Sequence, residues 1–110
     1  MNMNHCQELA ERTINPKLNN NEMTMHALHG LAGEVGEVHS LFQKVYQGHD
    51  LDTEHLKKEI GDVLWFVAEL CTACGFKLND IAYTNIYKLE ARFPKGFEAD
   101  KSINRVEGDI

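Results

Sequence analysis

Between Pro16 and Pro94 the apolar residues recur at steps of three and four, and no useful stretch alternates with period two. That period confines the chain to helices, because a strand sends alternate residues to opposite faces. A first helix runs from about Asn4 to Ile14 and stops before Asn15-Pro16, since the residue preceding a proline avoids the helical region. The polar run Asn19-Asn20-Asn21 reads as a loop. A second helix spans about Glu22 to Tyr46 on the stripe Leu28, Leu31, Val35, Val38, Phe42 and Val45. The third starts near Asp52 or Thr53, either a suitable N-cap. It carries Leu56, Ile60, Val63, Val67, Leu70 and Cys74 to a stop at Gly75. The fourth, capped by Asn79 or Asp80, carries Ala82, Ile86, Leu89 and Phe93 up to Pro94. A weakly patterned tail follows. The expectation is one all-α domain over 1–110, with its core at about 22–97 and a tail at 98–110. Its long helices run antiparallel in a four-helix bundle-like arrangement.

Charged groups fall where such a bundle should be apolar. At about 100° per residue, Glu59 lies between Val63 and Phe66 around the third helix, inside its stripe, and Asp62 sits on the edge. On the second helix Glu34 borders Leu31 and Val38, with Glu37 about 60° further round. Glu34-x-x-Glu37 and Glu59-x-x-Asp62 each project from one side of a helix, because i and i+3 are neighbours there. A short connection makes the two helices antiparallel partners. Removing a carboxylate from water costs several kcal/mol unless it is paired, and converging acids raise one another's pKa. Oxygen ligands select hard cations, so Mg²⁺, or alternatively Mn²⁺, answers the charge. The competing reading is a solvated acidic flank with Glu59 reaching outward.

Gly30, Gly33 and Gly36 lie within the second helix, where each costs about 1 kcal/mol relative to alanine. Either a helix or a ligand approaches that backbone closely, or the glycines break the helix. Gly61 repeats the pattern between Glu59 and Asp62. Donors stand on the fourth helix: Asn85 inside the apolar stripe, with Lys88 and Arg92 within about 60° of it. Lys44 lies two turns beyond Glu37 on the same side. An amide, an ammonium and a guanidinium on one flank suit phosphate. Acids that hold a metal, opposed by such donors, describe a polyphosphate site.

The charge balance of 11 basic against 17 acidic side chains, net −6, disfavours nucleic-acid backbone as the main partner. It leaves nucleotides open, because a divalent ion can bridge acids to phosphates. The longest apolar run, Val63 to Ala68, is far short of the roughly 20 residues that span a bilayer. Met1-Asn2-Met3-Asn4-His5 lacks the basic and apolar regions of a secretory signal, and three cysteines suit a reducing compartment. The expectation is a cytoplasmic protein without membrane contact. Cys71 and Cys74 read as packing thiols, and His26 and His29 as surface or substrate-pocket histidines rather than zinc ligands. Trp65 points away from the main stripe of its helix, which suits an oligomer interface better than base stacking.

Three segments together resemble MazG-type nucleoside triphosphate pyrophosphohydrolases: Gly30-Leu31-Ala32-Gly33-Glu34-Val35-Gly36-Glu37-Val38, Lys58-Glu59-Ile60-Gly61-Asp62-Val63-Leu64-Trp65, and Asn85 through Lys88 and Arg92 to Phe97. The resemblance covers about residues 24–97, and the paired acids are its specific part. It implies an all-α fold completed by oligomerisation as a homodimer or homotetramer. It also implies four Mg²⁺ ligands (Glu34, Glu37, Glu59 and Asp62) and a reaction giving a nucleoside monophosphate and pyrophosphate. Asn85 and Lys88 fall on its substrate-binding helix. Lys58 departs from the acid that many relatives carry there. Glu34 or Glu37 is then the candidate general base. House-cleaning of damaged nucleotides is one role for such an enzyme. Phosphoribosyl-ATP pyrophosphohydrolase activity and a non-catalytic nucleotide- or partner-binding module are the competing functions.

Overall fold

The computed structural model describes residues 1–110 and contains five helices and no strand. They are α1 (Met3–Glu11), α2 (Asn20–Tyr46), α3 (Thr53–Cys74), α4 (Leu78–Arg92) and α5 (Ala99–Ile103). The all-α expectation holds, and the tail adds the short α5.

The Asn19-Asn20-Asn21 run is the start of α2 rather than a loop. Asn19 Oδ1 accepts from the Glu22 amide, and the Glu22 carboxylate accepts from the Asn19 amide. This reciprocal capping satisfies two amides that the first turn leaves unpaired. Asp52 caps α3 through the His55 amide, as its position suggests. At the other end Gly75 adopts φ 75°, where a side chain is disfavoured, and Phe76 N donates back to Cys71 O.

The cap of α4 is not the one the local sequence suggests. Neither Asn79 nor Asp80 caps the helix; its N-cap is Lys77, which makes no side-chain bond. The free amides are taken from a distance instead. Gln7 Oε1 accepts from Leu78 N at 2.7 Å, and Asn4 Oδ1 accepts from Asn79 N at 3.1 Å. Gln7 Nε2 also donates to Thr72 Oγ1 and Phe76 O, so α1 clamps the α3–α4 turn. Helix α1 ends at Glu11, a turn earlier than periodicity indicates, and Ile14 is buried beyond it.

Helices α2 and α3 form the long antiparallel pair. Climbing α2 by turns from His26 to Gly30 to Glu34 descends α3 from Glu69 to Phe66 to Asp62 and Glu59. Gly30 is needed at this seam, because a Cβ there would enter the Phe66 ring. Gly33, Gly36 and Gly61 have no such neighbour, and α2 continues through all three of its glycines.

The densest core lies where α1, α3 and α4 meet: Ala68, Cys71 and Leu78, with Met3, Ala10 and Val67 against them. Cys71 packs as a thiol should, and burial pushes its pKa up, but Cys74 is exposed. Part of the second face of α3 is covered by this chain itself, since Trp65 Nε1 donates to Thr13 Oγ1 at 2.8 Å. The single chain stays open. Its surface is 8354 Å² against about 6,200 Å² expected for its 12.5 kDa mass. Its radius of gyration is 17.2 Å against about 13 Å for a compact domain of this length.

Candidate metal and nucleotide site

The acid pairs meet across the α2–α3 seam. Carboxylate oxygens of Glu34, Glu59 and Asp62 lie within 4.8 Å of one another. Glu34 and Glu59 are partly covered and Asp62 is exposed, so the cluster opens to solvent on one side. Glu37 lies outside this group and is exposed. Its offset around α2 carries it away from the α3 acids.

The electrostatics follow from that crowding. Sharing a proton with Glu59 raises the Glu34 pKa to about 7, and burial and the charges of Glu59, Asp62 and Glu37 add to the rise. The same proton lowers Glu59, against burial and with help from His55, whose Nε2 lies 3.0 Å from Glu59 Oε1. The other oxygen, Glu59 Oε2, is buried and has no hydrogen-bond donor. An orphaned buried carboxylate oxygen is uncommon and costly. A proton carried by Glu34, or a cation between the carboxylates, is what it needs. Three convergent hard oxygens with one unsatisfied fit a divalent ion of the Mg²⁺ class.

The donors are placed otherwise. Helix α4 packs principally against α1, and the α2–α3 seam closes without it. Asn85 is exposed on α4 and Lys88 is partly covered. Arg92 is already engaged: its Nε and Nη2 donate to the two Asp109 oxygens at 2.8 and 2.7 Å. The pair raises the Arg92 pKa and lowers that of Asp109. Lys44 is exposed in the last turn of α2. The side chains that act on Glu34 and Glu59 in the single chain are other acids and His55, with no lysine or arginine among them.

One acid escaped the sequence reading. Glu69 is completely buried, and both its oxygens lie at 2.7 and 2.9 Å from His26 Nδ1. Its signal was present: seven residues after Asp62 it returns to nearly the same side of α3, between Ala68 and Leu70. Asp109 carried no local signal, because its partner is seventeen residues away in a segment without periodicity.

Comparison with known proteins places the chain in a family. The family model described as MazG nucleotide pyrophosphohydrolase domain matches residues 22–97, which include all four acids of the two pairs and Asn85, Lys88 and Arg92. The Gene 37 protein of Mycobacterium phage L5 is 31% identical over 81 residues, covering 69% of this chain and 71% of the phage protein. No solved structure matches the chain. With the family model spanning more than half the residues, the chain belongs to the MazG nucleotide pyrophosphohydrolase domain family.

Proposed function

We propose that this chain is a Mg²⁺-dependent hydrolase that splits a ribo- or deoxyribonucleoside triphosphate into the monophosphate and pyrophosphate. The observation that carries the reading is the cluster of Glu34, Glu59 and Asp62 within 4.8 Å, with Glu59 Oε2 buried and unpartnered. Family membership supports the same chemistry.

In this reading Glu34, Glu59 and Asp62 hold the ion, and Glu37, one turn further along α2 and outside their group, adds its charge beside Glu34. These residues would hold a divalent ion, which when bound would supply charge neutralisation for the phosphate oxygens and the pyrophosphate leaving group. The chain's own residues bind, orient and move the proton. Glu34 or Glu37 serves as the general base that takes a proton from the attacking water. His55 steadies Glu59 from one turn away. Lys44, on the same helix as Glu34, and Asn85 and Lys88, on α4, supply donors for phosphate oxygens, while Asp109 holds Arg92 beside them. Because α4 stands apart from the acids in one chain, its donors reach them from a second copy, in a homodimer or homotetramer.

The test is a panel of ribo-, deoxyribo- and modified nucleoside triphosphates, incubated with Mg²⁺ or with EDTA and separated by product. Monophosphate plus pyrophosphate, lost in EDTA, is the expected result. A folded protein that turns over none of them would end this reading.

A further inference from the structure

Glu69 is the one fully buried charged side chain of the protein, and the side-chain partner of both its oxygens is a single nitrogen, His26 Nδ1. A carboxylate accepts, so Nδ1–H of His26 is the donor, and the outer nitrogen Nε2 is left free. No protein group bonds Nε2, and the His26 side chain is 51% exposed. The ring plane is fixed as well. Trp65 stands edge-on to it at 6.4 Å and 80°, and Phe66 lies tilted at 5.8 Å. Phe66 can take that place because Gly30 has no side chain.

This oriented ring lies on the same seam as the acids. His26 precedes Glu34 by eight residues of continuous helix, about 12 Å along the axis, and Glu69 follows Asp62 by seven on α3. An extended nucleotide whose phosphates sit at the acids spans that interval to its base. We propose that His26 reads a hydrogen-bonding edge of the nucleobase through Nε2, with Glu69 as the residue that positions it. This rests on the acids being the phosphate end of the site. His26 is thus a specificity residue, and Glu69 acts only through it.

The experiment has two arms on the full chain. In the first, kcat and KM are measured for the four common bases with the wild type, with His26→Ala and with the double variant His26→Phe/Glu69→Leu. His26→Ala strands the buried Glu69 charge and costs stability, so the double variant, which removes both polar partners together, is the control that keeps the test independent of folding. Both variants are expected to lose about 10- to 100-fold in kcat/KM on the preferred base, through KM. Poor bases change little, so the ranking collapses. In the second arm, the His26 ring nitrogens are followed by NMR as nucleoside monophosphates are added. A shift of Nε2, larger for the preferred base and absent with inorganic phosphate, is expected.

An unchanged ranking, or an equal loss on every base, overturns the assignment, as does an Nε2 signal that ignores the base. A wild type that responds at Nε2 yet hydrolyses nothing would uphold base reading while ending the hydrolase reading. Silence in both arms would end both.

Discussion

Glu34 on α2 and Glu59 on α3 bring carboxylate oxygens within 4.8 Å of each other, and hydrogen bonding across that gap lifts Glu34 to about 7 and pulls Glu59 below its ordinary 4.5. Acids converging this way repel one another, and a cation among them would relieve that repulsion. The cause is geometric: the antiparallel register sets acids from two helices against each other, and no lysine or arginine is among the groups that act on Glu34 and Glu59.

That relationship predicts a pH-dependent stability. The folded-state pKa of Glu34 exceeds its unfolded value, so its contribution is full below about 4.5 and is lost as pH rises through about 7. Thermal melts in EDTA should therefore give a Tm that falls between pH 5 and pH 8. Glu34→Gln should flatten the slope. A wild-type Tm that rises steadily across this window would contradict the shared proton.

Mg²⁺ should reverse the loss. At pH 8 an ion at 100 times its Kd stabilises by about 2.7 kcal/mol, and at pH 5 the proton on Glu34 competes with it. Calorimetric titration should show affinity rising with pH and protons released on binding. Binding that is unaltered in Glu59→Gln or Asp62→Asn would remove these side chains from the ligand set. In the hydrolysis assay each of the two substitutions should cost at least about 100-fold, given the several kcal/mol of charge stabilisation a bound ion supplies.

The helix-two glycines should separate in their response. Gly30→Ala drives a methyl into the Phe66 ring and should destabilise by about 1–3 kcal/mol. Gly36→Ala meets nothing within 4 Å and should stabilise the isolated fold by about 1 kcal/mol. Urea denaturation checks both. Equal effects at the two positions would mean that Phe66 does not lie against Gly30.

Association should bury what a single chain leaves open. Leu28, Val35, Phe42, Ile60, Leu64 and Ile86 are all exposed large apolar residues on α2, α3 and α4. Light scattering on the eluting protein should give at least twice the 12.5 kDa chain mass. A stable monomer at that mass would leave the separation of α4 from the acids unexplained.

Much of this was legible in the residues. The 3.6-residue period announced the helices, Asp52 and Gly75 marked the ends of α3, and the i, i+3 spacing put each acid pair on one side of its helix. Capping of α4 was not legible, because Gln7 and Asn4 lie more than seventy residues from the amides they satisfy. Nor was the role of Trp65, whose indole is held by Thr13 across fifty-two residues.

Periodicity determines the angle at which a side chain leaves its own helix, and that alone made Glu59 and Asp62 conspicuous in this protein. It says nothing of the axial register between two helices. The packed structure decided that Glu34 reaches Glu59 and Asp62 while Glu37 does not, that Glu69 is sealed against His26, and that Asp109 takes the Arg92 guanidinium. Register is set by the sum of many contacts along the seam, among them the Phe66 ring on bare Gly30. Such a sum exists only once both helices are in place.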